Sequence, residues 1–157
     1  MADFEMKLQG VDPILGKMRT LKREIRLKPA RSALGQAAKV IRLQAQQNAL
    51  QVNDPDTGRT IADNIVQRFR SRYHKRTGDL MVSVGVATEK GRIPKGNPDT
   101  GPKGNTPHWH LLENGTERMP AQPFLQPAAR QQAEAAMHKF TTSLDKGIDR
   151  ILKKAGK

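Results

Sequence analysis

The spacing of apolar residues changes along the chain, and the first half predicts one strand and then two helices. Three apolar residues alternate with two charged ones over 4–8, which indicates a short half-buried strand. Apolar residues then recur every three or four positions over 12–28 and again over 29–52, which is typical of helices. We expect the boundary at Pro29, because the residue before a proline avoids helical backbone angles.

A third helix is predicted after Thr60, which with Asp63 forms a pattern typical of helix starts. Its apolar residues lie four apart: Ile61, Ile65, Phe69 and Tyr73.

A hairpin with a long loop is predicted next. Residues 80–88 alternate around three valines and indicate a strand, and 108–112 indicate a second strand that pairs with it antiparallel. Between them, eight of the 17 residues of 91–107 are Gly or Pro, which predicts a flexible loop.

The C-terminal part predicts an extended arm over 117–127, held by three prolines, and a final helix over 128–153. A basic tail follows at 153–157. We therefore expect residues 1–157 to form a single α+β domain, in which a small antiparallel sheet with a long-loop hairpin packs against about four helices.

The chain is strongly basic, and the excess charge is localised. Its 28 Lys and Arg residues outnumber 15 Asp and Glu residues, which gives a net charge of +13. The stretch 17–42 carries a net charge of +8 and the stretch 59–76 a net charge of +5. This charge favours a polyanionic partner such as DNA, contacted through its phosphates, although solvated helix faces would explain it equally well.

Composition excludes several classes of protein. The chain has no cysteine, so a disulfide scaffold and cysteine-based chemistry are excluded. No apolar run approaches the roughly 20 residues that cross a bilayer, and the acidic start does not resemble a signal peptide. We expect a soluble intracellular protein without a membrane partner.

The chemistry-bearing residues do not indicate an enzyme. His108, His110 and Glu113 are the only metal-like cluster, and two histidines on one strand face could share an ion. Because Glu113 would lie on the opposite face, we expect a structural or binding role for these residues and no metal. No nucleophile or phosphate-binding motif is present, so we expect no catalytic residue and no cofactor.

The segment 108–130 resembles the tail-component and neck-protein family of lambda-like long-tailed phages. Members show an aromatic strand that ends in Glu-Phe-Gly-Thr, then Pro-Ala-x-Pro-Phe-Leu-x-Pro-Ala and a long final helix. Ten residues match this pattern: Glu113, Gly115, Thr116, Pro120, Ala121, Pro123, Phe124, Leu125, Pro127 and Ala128. Thr77-Gly78-Asp79-Leu80 also resembles a family pattern, whereas Asn114 replaces the usual aromatic residue and the 91–107 loop is longer than is typical.

The resemblance implies a structural virion protein of the phage neck, which completes the tail and joins it to the head as a homomeric ring around the DNA channel. It would be assembled in the host cytoplasm beside connector, tail-tube and terminator proteins. The nearest alternative is a tail-terminator ring that caps the tube, and an alternative of another class is a non-specific DNA-binding protein.

Two sets of residues are candidates for these contacts. The subunit-interface candidates are Trp109, Glu113, Gly115, Thr116, Pro120, Pro123, Phe124, Leu125 and Pro127. The pocket for Phe124 could belong to its own chain or to the next subunit. The candidates for a DNA channel or an acidic partner are Arg19, Lys22, Arg23, Arg26, Arg68, Arg70, Arg72, Lys95 and Lys103.

Overall fold

A computed structural model describes residues 12–19, 21–52, 60–87 and 106–156, without the side chains of residues 23, 24 and 26. Seven helices and a two-stranded antiparallel sheet in these ranges confirm the predicted α+β class. The predicted strand at 4–8 and most of the predicted loop lie outside them. The elements are α1 (Asp12–Arg19), α2 (Arg23–Leu50), α3 (Ile61–Asn64), β1 (Ile65–Phe69), α4 (Ser71–Thr77), β2 (Val82–Val86), α5 (Trp109–Asn114), α6 (Leu125–Gln131) and α7 (Ala133–Ala155).

The long helix α2 passes through Pro29, so the predicted helix boundary at this proline is wrong. Among the described residues, Leu21 and Lys22 are non-helical, and α2 begins only at Arg23. Pro29 removes one backbone donor near the start of α2, and its buried ring packs against α7. This packing offsets the local bias of the residue before proline, which is a preference and not a prohibition.

The helices α2 and α7 pack closely where Pro29 meets Gly147. A Cβ atom added to Gly147 would lie 2.8 Å from the Pro29 Cβ, so only glycine fits there without a shift. Beside this contact, one core cluster joins α1, α2 and α7 through Ile14, Ala33, Leu144 and Ile148.

An ion pair fastens α1 to α7. The Lys17 Nζ atom donates to Asp145 Oδ1 at 2.7 Å and to Asp149 Oδ1 at 3.0 Å. These hydrogen bonds raise the pKa of the Lys17 ammonium above its ordinary value, and the bond to Asp145 has the largest effect. Because the three side chains are partly exposed, the pair orients α1 more than it stabilises the fold.

The predicted third helix is wrong over its middle, because Ile65–Phe69 forms strand β1 between the short helices α3 and α4. Residues four apart share a face in a helix, but they also share a face in a strand, where side chains alternate. Ile65 and Phe69 therefore satisfy both patterns, and pairing with β2 selects the strand.

The predicted strand over 80–88 is confirmed as β2, but its predicted partner is wrong. β2 pairs antiparallel with β1, with Ile65 opposite Val86 and Phe69 opposite Val82. The segment predicted as the second hairpin strand forms helix α5, so no hairpin joins it to β2. The apolar spacing in β1 fits a helix as well as a strand, so the sequence pattern does not identify β1 as the partner of β2.

The core beside the sheet is built largely from small side chains of α2. Ala45 and Ala49 are fully buried and form one cluster with Ile61, Ile65 and Phe124. These alanine side chains allow the neighbouring elements to pack close to α2.

The predicted final helix is divided into α6 and α7 at Gln132. In α7, Ala133, Leu144 and Ile148 are buried. No helix in the described part of the chain is both long and apolar enough to cross a membrane.

The Pro29–Gly147 contact gives a direct stability test. We expect Gly147→Ala to lower the free energy of unfolding by about 1–3 kcal/mol, because the new methyl group overlaps a buried ring. The matched control is Gly16→Ala in α1, where nothing lies within 4 Å and a gain of about 0.4–1 kcal/mol is expected. Urea denaturation of both variants measures the difference. Equal effects of the two substitutions would contradict this packing.

Candidate functional site

The segment that carries the family resemblance is organised around one carboxylate, Glu113. Its Oε2 atom accepts hydrogen bonds from the backbone amides of Phe124 at 2.8 Å and Leu125 at 3.0 Å. Its Oε1 atom accepts one from the Gln126 amide at 2.9 Å. A side chain from the end of α5 thus satisfies three amides at the start of α6, which otherwise have no partner within the helix. We call this arrangement the Glu113 cap.

A tight turn returns the chain from α5 to α6. Gly115 has φ +74°, and an added Cβ would lie 2.8 Å from the Ala121 nitrogen, so the turn requires glycine. The Thr116 Oγ1 atom accepts from the Arg118 and Met119 amides. The Gln122 amide donates to the Leu112 carbonyl at 2.7 Å, which closes the turn.

The Phe124 side chain is fully buried in its own chain, so the structure answers the question of which pocket holds it. The ring lies in the cluster of Ala45, Ala49 and Ile65. Trp109 and Leu125 are half-buried and pack against the same cluster.

Three other interface candidates are exposed. Thr116, Pro120 and Pro123 face solvent on the turn and arm, whereas Pro127 is partly buried within α6. The described structure therefore brings the nine interface candidates together in one unit, with Thr116, Pro120 and Pro123 as its accessible part.

Basic candidates gather on the outer face of the sheet and on α4. Arg68 and Arg70 are exposed and, with Ser83 and Gly85, line a shallow cavity of about 190 Å³. The Arg70 Nε atom donates to Ser83 Oγ at 2.7 Å. Arg72, Lys75 and Arg76 on α4 are also exposed. We call this set, Arg68, Arg70, Arg72, Lys75 and Arg76, the sheet basic surface.

The remaining basic candidates lie elsewhere. Arg19 and Lys22 are exposed at the junction of α1 and α2. The side chains of Arg23 and Arg26, and residues Lys95 and Lys103 as a whole, fall outside the described part of the chain.

The histidines of the metal-like cluster do not share a strand face, because His108 precedes α5 and His110 lies within it. Over the described ranges, no group of three or more His, Cys, Asp or Glu side chains could hold a metal ion.

Two features were not predicted from the sequence. The role of Glu113 as a cap had no local signal, because its amide partners lie 11 to 13 residues later in the chain. The second is a cation–π contact, in which the Arg31 guanidinium lies over the Phe69 ring at 3.9 Å from its centroid. This contact leaves the positive charge of Arg31 in place.

Removing the cap should loosen the start of α6. We expect Glu113→Ala to lower the free energy of unfolding by about 1–3 kcal/mol, because three amides lose their acceptor. Glu117→Ala is the matched control, since Glu117 is an exposed acid in the same turn and should change stability little. Thermal denaturation at neutral pH checks both. If Glu113→Ala were as stable as Glu117→Ala, the cap would not hold the arm.

Comparison with known proteins identifies the family of the chain. A family model described as "Bacteriophage HK97-gp10, putative tail-component" matches residues 12–115, about two-thirds of the chain. The match runs from α1 through α5 to the turn glycine, so it includes Glu113 but ends before Phe124. No curated protein and no solved structure matches the chain. The chain belongs to this HK97-gp10-like family and is a structural tail component of a bacteriophage virion.

Proposed function

We propose that the protein is a tail-completion subunit of the phage neck, which forms a homomeric ring around the DNA channel and joins tail to head. The proposal rests on membership of the tail-component family and on a surface of α2 that is exposed among the described residues. It places the neighbouring partners in the connector above and the tail tube or terminator below, after assembly in the host cytoplasm.

The observation that carries the ring is an apolar row on α2, formed by Ile25, Leu43 and Leu50. Their exposed fractions are 42%, 46% and 57%, although α2 is the element on which most of the fold packs. At 3.6 residues per turn, separations of 18 and 7 residues place the three side chains on one side of the helix, where the exposed polar residues Ser32, Gln36 and Lys39 separate Ile25 from Leu43. Leu43 and Leu50, two turns apart near the C-terminal end of α2, are the part of this row that we propose as the surface for a protein partner.

A ring requires two different surfaces on each subunit, because each copy contacts the next head to tail. The apolar row supplies one. The exposed part of the turn and arm, Thr116, Pro120 and Pro123, supplies the other, since the Glu113 cap and the buried Phe124 ring hold it rigid. A pre-organised surface loses little entropy when it docks.

Substitutions in the row should prevent assembly without unfolding the subunit. We expect Leu43→Asp with Leu50→Asp to convert rings to monomers, because two buried charges would enter the interface. The matched control is Leu15→Asp with Leu111→Asp, which changes two leucines of similar exposure, 43% and 42%, on other helices. Native mass spectrometry measures the oligomer, and circular dichroism confirms the fold. A wild-type protein that stays monomeric at micromolar concentration and is missing from virions would refute the ring.

Assembly of phage particles without this protein distinguishes a tail-completion role from a tail-terminator role. A completion subunit acts on finished tails, so its loss should leave tails of normal length that do not join heads. A terminator caps the growing tube, so its loss should give overlong tails. Electron microscopy of the tail-length distribution decides between the two.

Contact with DNA is a second candidate role, favoured by the sheet basic surface. Arg68, Arg70 and Arg72 are exposed on adjoining elements. The hydrogen bond to Ser83 uses one N–H group of the Arg70 guanidinium, and its other N–H groups are further donors. Among the described residues no base-reading element accompanies these cations, so the expected contact is with phosphates, independent of DNA sequence.

Salt dependence tests this role. We expect the triple variant Arg68→Gln, Arg70→Gln, Arg72→Gln to flatten the slope of log K against log salt for duplex DNA by up to about 2.7, or 0.9 for each phosphate that the protein no longer neutralises. The control, Lys146→Gln, Lys153→Gln, Lys154→Gln, removes the same charge from exposed positions of α7. Equal slopes for the two variants would show that only net charge matters.

A further inference from the structure

The outer face of the two-stranded sheet carries the cavity of about 190 Å³ to which two arginines contribute. The Arg70 amide donates to the Met81 carbonyl at 2.9 Å, so Arg70 continues the ladder one residue beyond β1. Because side chains alternate along a strand, Arg68 and Arg70 project from the same face, with backbones about 7 Å apart. None of the residues that line the cavity is acidic, so its electrostatic character is positive.

Ser83 connects the two arginines from the neighbouring strand. It lies directly opposite Arg68 in the register of β1 and β2, and it is therefore the diagonal neighbour of Arg70. Its Oγ atom accepts a hydrogen bond from Arg70 Nε at 2.7 Å and donates to the Arg68 carbonyl at 3.5 Å. The hydroxyl thus directs its proton to the backbone of β1 and holds Arg70 through a lone pair.

The bond to Ser83 determines which donors Arg70 offers to a ligand. It uses the N–H group on Nε, so the donors that remain are those on the two Nη atoms. These atoms lie in one plane and form a pair of parallel donors, which matches two oxygens of a single anionic group. A long side chain that is already held in place loses less entropy when it binds.

Gly85 leaves space for a ligand beside the arginines. It lies opposite Val66 and, two residues after Ser83, on the same outer face of β2. Among the described residues, nothing lies within 4 Å of a Cβ atom added at this position. Its φ is not positive, so the backbone conformation does not require glycine here. The missing side chain instead widens the cavity.

We propose that this cavity binds a single phosphate group of the DNA backbone, with Arg70 as the paired donor, Arg68 as a second cation and Ser83 as the positioning residue. The site rests on the proposed contact of the sheet basic surface with DNA and narrows that contact to one phosphate. Two arginines in a lining without an acid favour an anion. A phosphodiester supplies the two unesterified oxygens that the guanidinium matches.

Ser83→Ala tests the positioning without a change of charge. We expect the affinity for duplex DNA to fall roughly two- to tenfold, because Arg70 must then be immobilised during binding. The slope of log K against log salt should stay the same, since every cation remains. Ser83→Thr keeps the hydroxyl and should rescue the affinity. The matched control is Ser71→Ala, which removes an exposed hydroxyl between Arg70 and Arg72. Fluorescence anisotropy measures the affinities, and circular dichroism confirms the fold.

A double-mutant cycle separates positioning from a general structural role. In an Arg70→Gln background, we expect Ser83→Ala to cause no further loss of affinity, because Ser83 acts through Arg70. Equal losses in the two backgrounds would overturn the role of Ser83.

Filling the cavity should change DNA binding and stability in different directions. We expect Gly85→Val to weaken DNA binding, because the new side chain occupies the space of the phosphate. The same substitution should keep or raise the thermal stability, because valine favours strands more than glycine does. If Gly85→Val bound DNA as tightly as the unmodified chain, the cavity would not hold a phosphate.

Inorganic phosphate separates this site from the wider contact with DNA. We expect millimolar phosphate, compared with chloride at the same ionic strength, to shift the Nε–H resonance of Arg70 in nuclear magnetic resonance spectra. The shift should be smaller in Gly85→Val. If phosphate shifts this resonance while the Arg68, Arg70 and Arg72 triple variant keeps the full salt slope, the phosphate site stands and DNA is rejected as its source. If phosphate causes no shift and Ser83→Ala binds DNA normally, the site is overturned and the DNA contact stands.

Discussion

Small side chains along α2 are the constraint on which the rest of the fold depends. α3, β1, β2, α6 and α7 all pack against this one helix. Ala33, Ala45 and Ala49 are fully buried, and their methyl groups allow the neighbouring backbones to come close on several sides. Larger residues at these positions would force the neighbouring elements apart, because a close-packed protein interior tolerates little added volume.

Close approach of so many elements also brings backbone polar groups near the helix, and amide side chains of α2 satisfy them. The Gln46 Nε2 atom donates to the carbonyls of Ala62 and Ile65, where α3 gives way to β1. The Asn48 Nδ2 atom donates to the Phe124 carbonyl. α2 therefore holds both the sheet and the arm in place, and Glu113 completes the arm from the other side. The exposed turn thus stands on a rigid support, as the proposed head-to-tail ring requires.

The departures from the sequence-based prediction have specific causes. Ile65 and Phe69 lie four apart, a spacing that fits a strand face as well as a helix, and only the pairing with Val86 and Val82 distinguishes the two. Pro29 is compatible with a helix because its ring packs on Gly147, which lies 118 positions later in the chain. In both cases a local pattern was ambiguous and a distant contact decided the outcome.

Residue spacing was enough to predict the α+β class, a long helix after the arm and the strand at β2, and the local motifs of 108–130 carried the resemblance to phage tail components. Each of these depends on residues that are neighbours in the chain. The partner of β2, the pocket that holds Phe124 and the role of Glu113 as a cap emerged only from the folded chain. Those features join residues that are distant in sequence, and local propensity carries no information about which distant groups will meet.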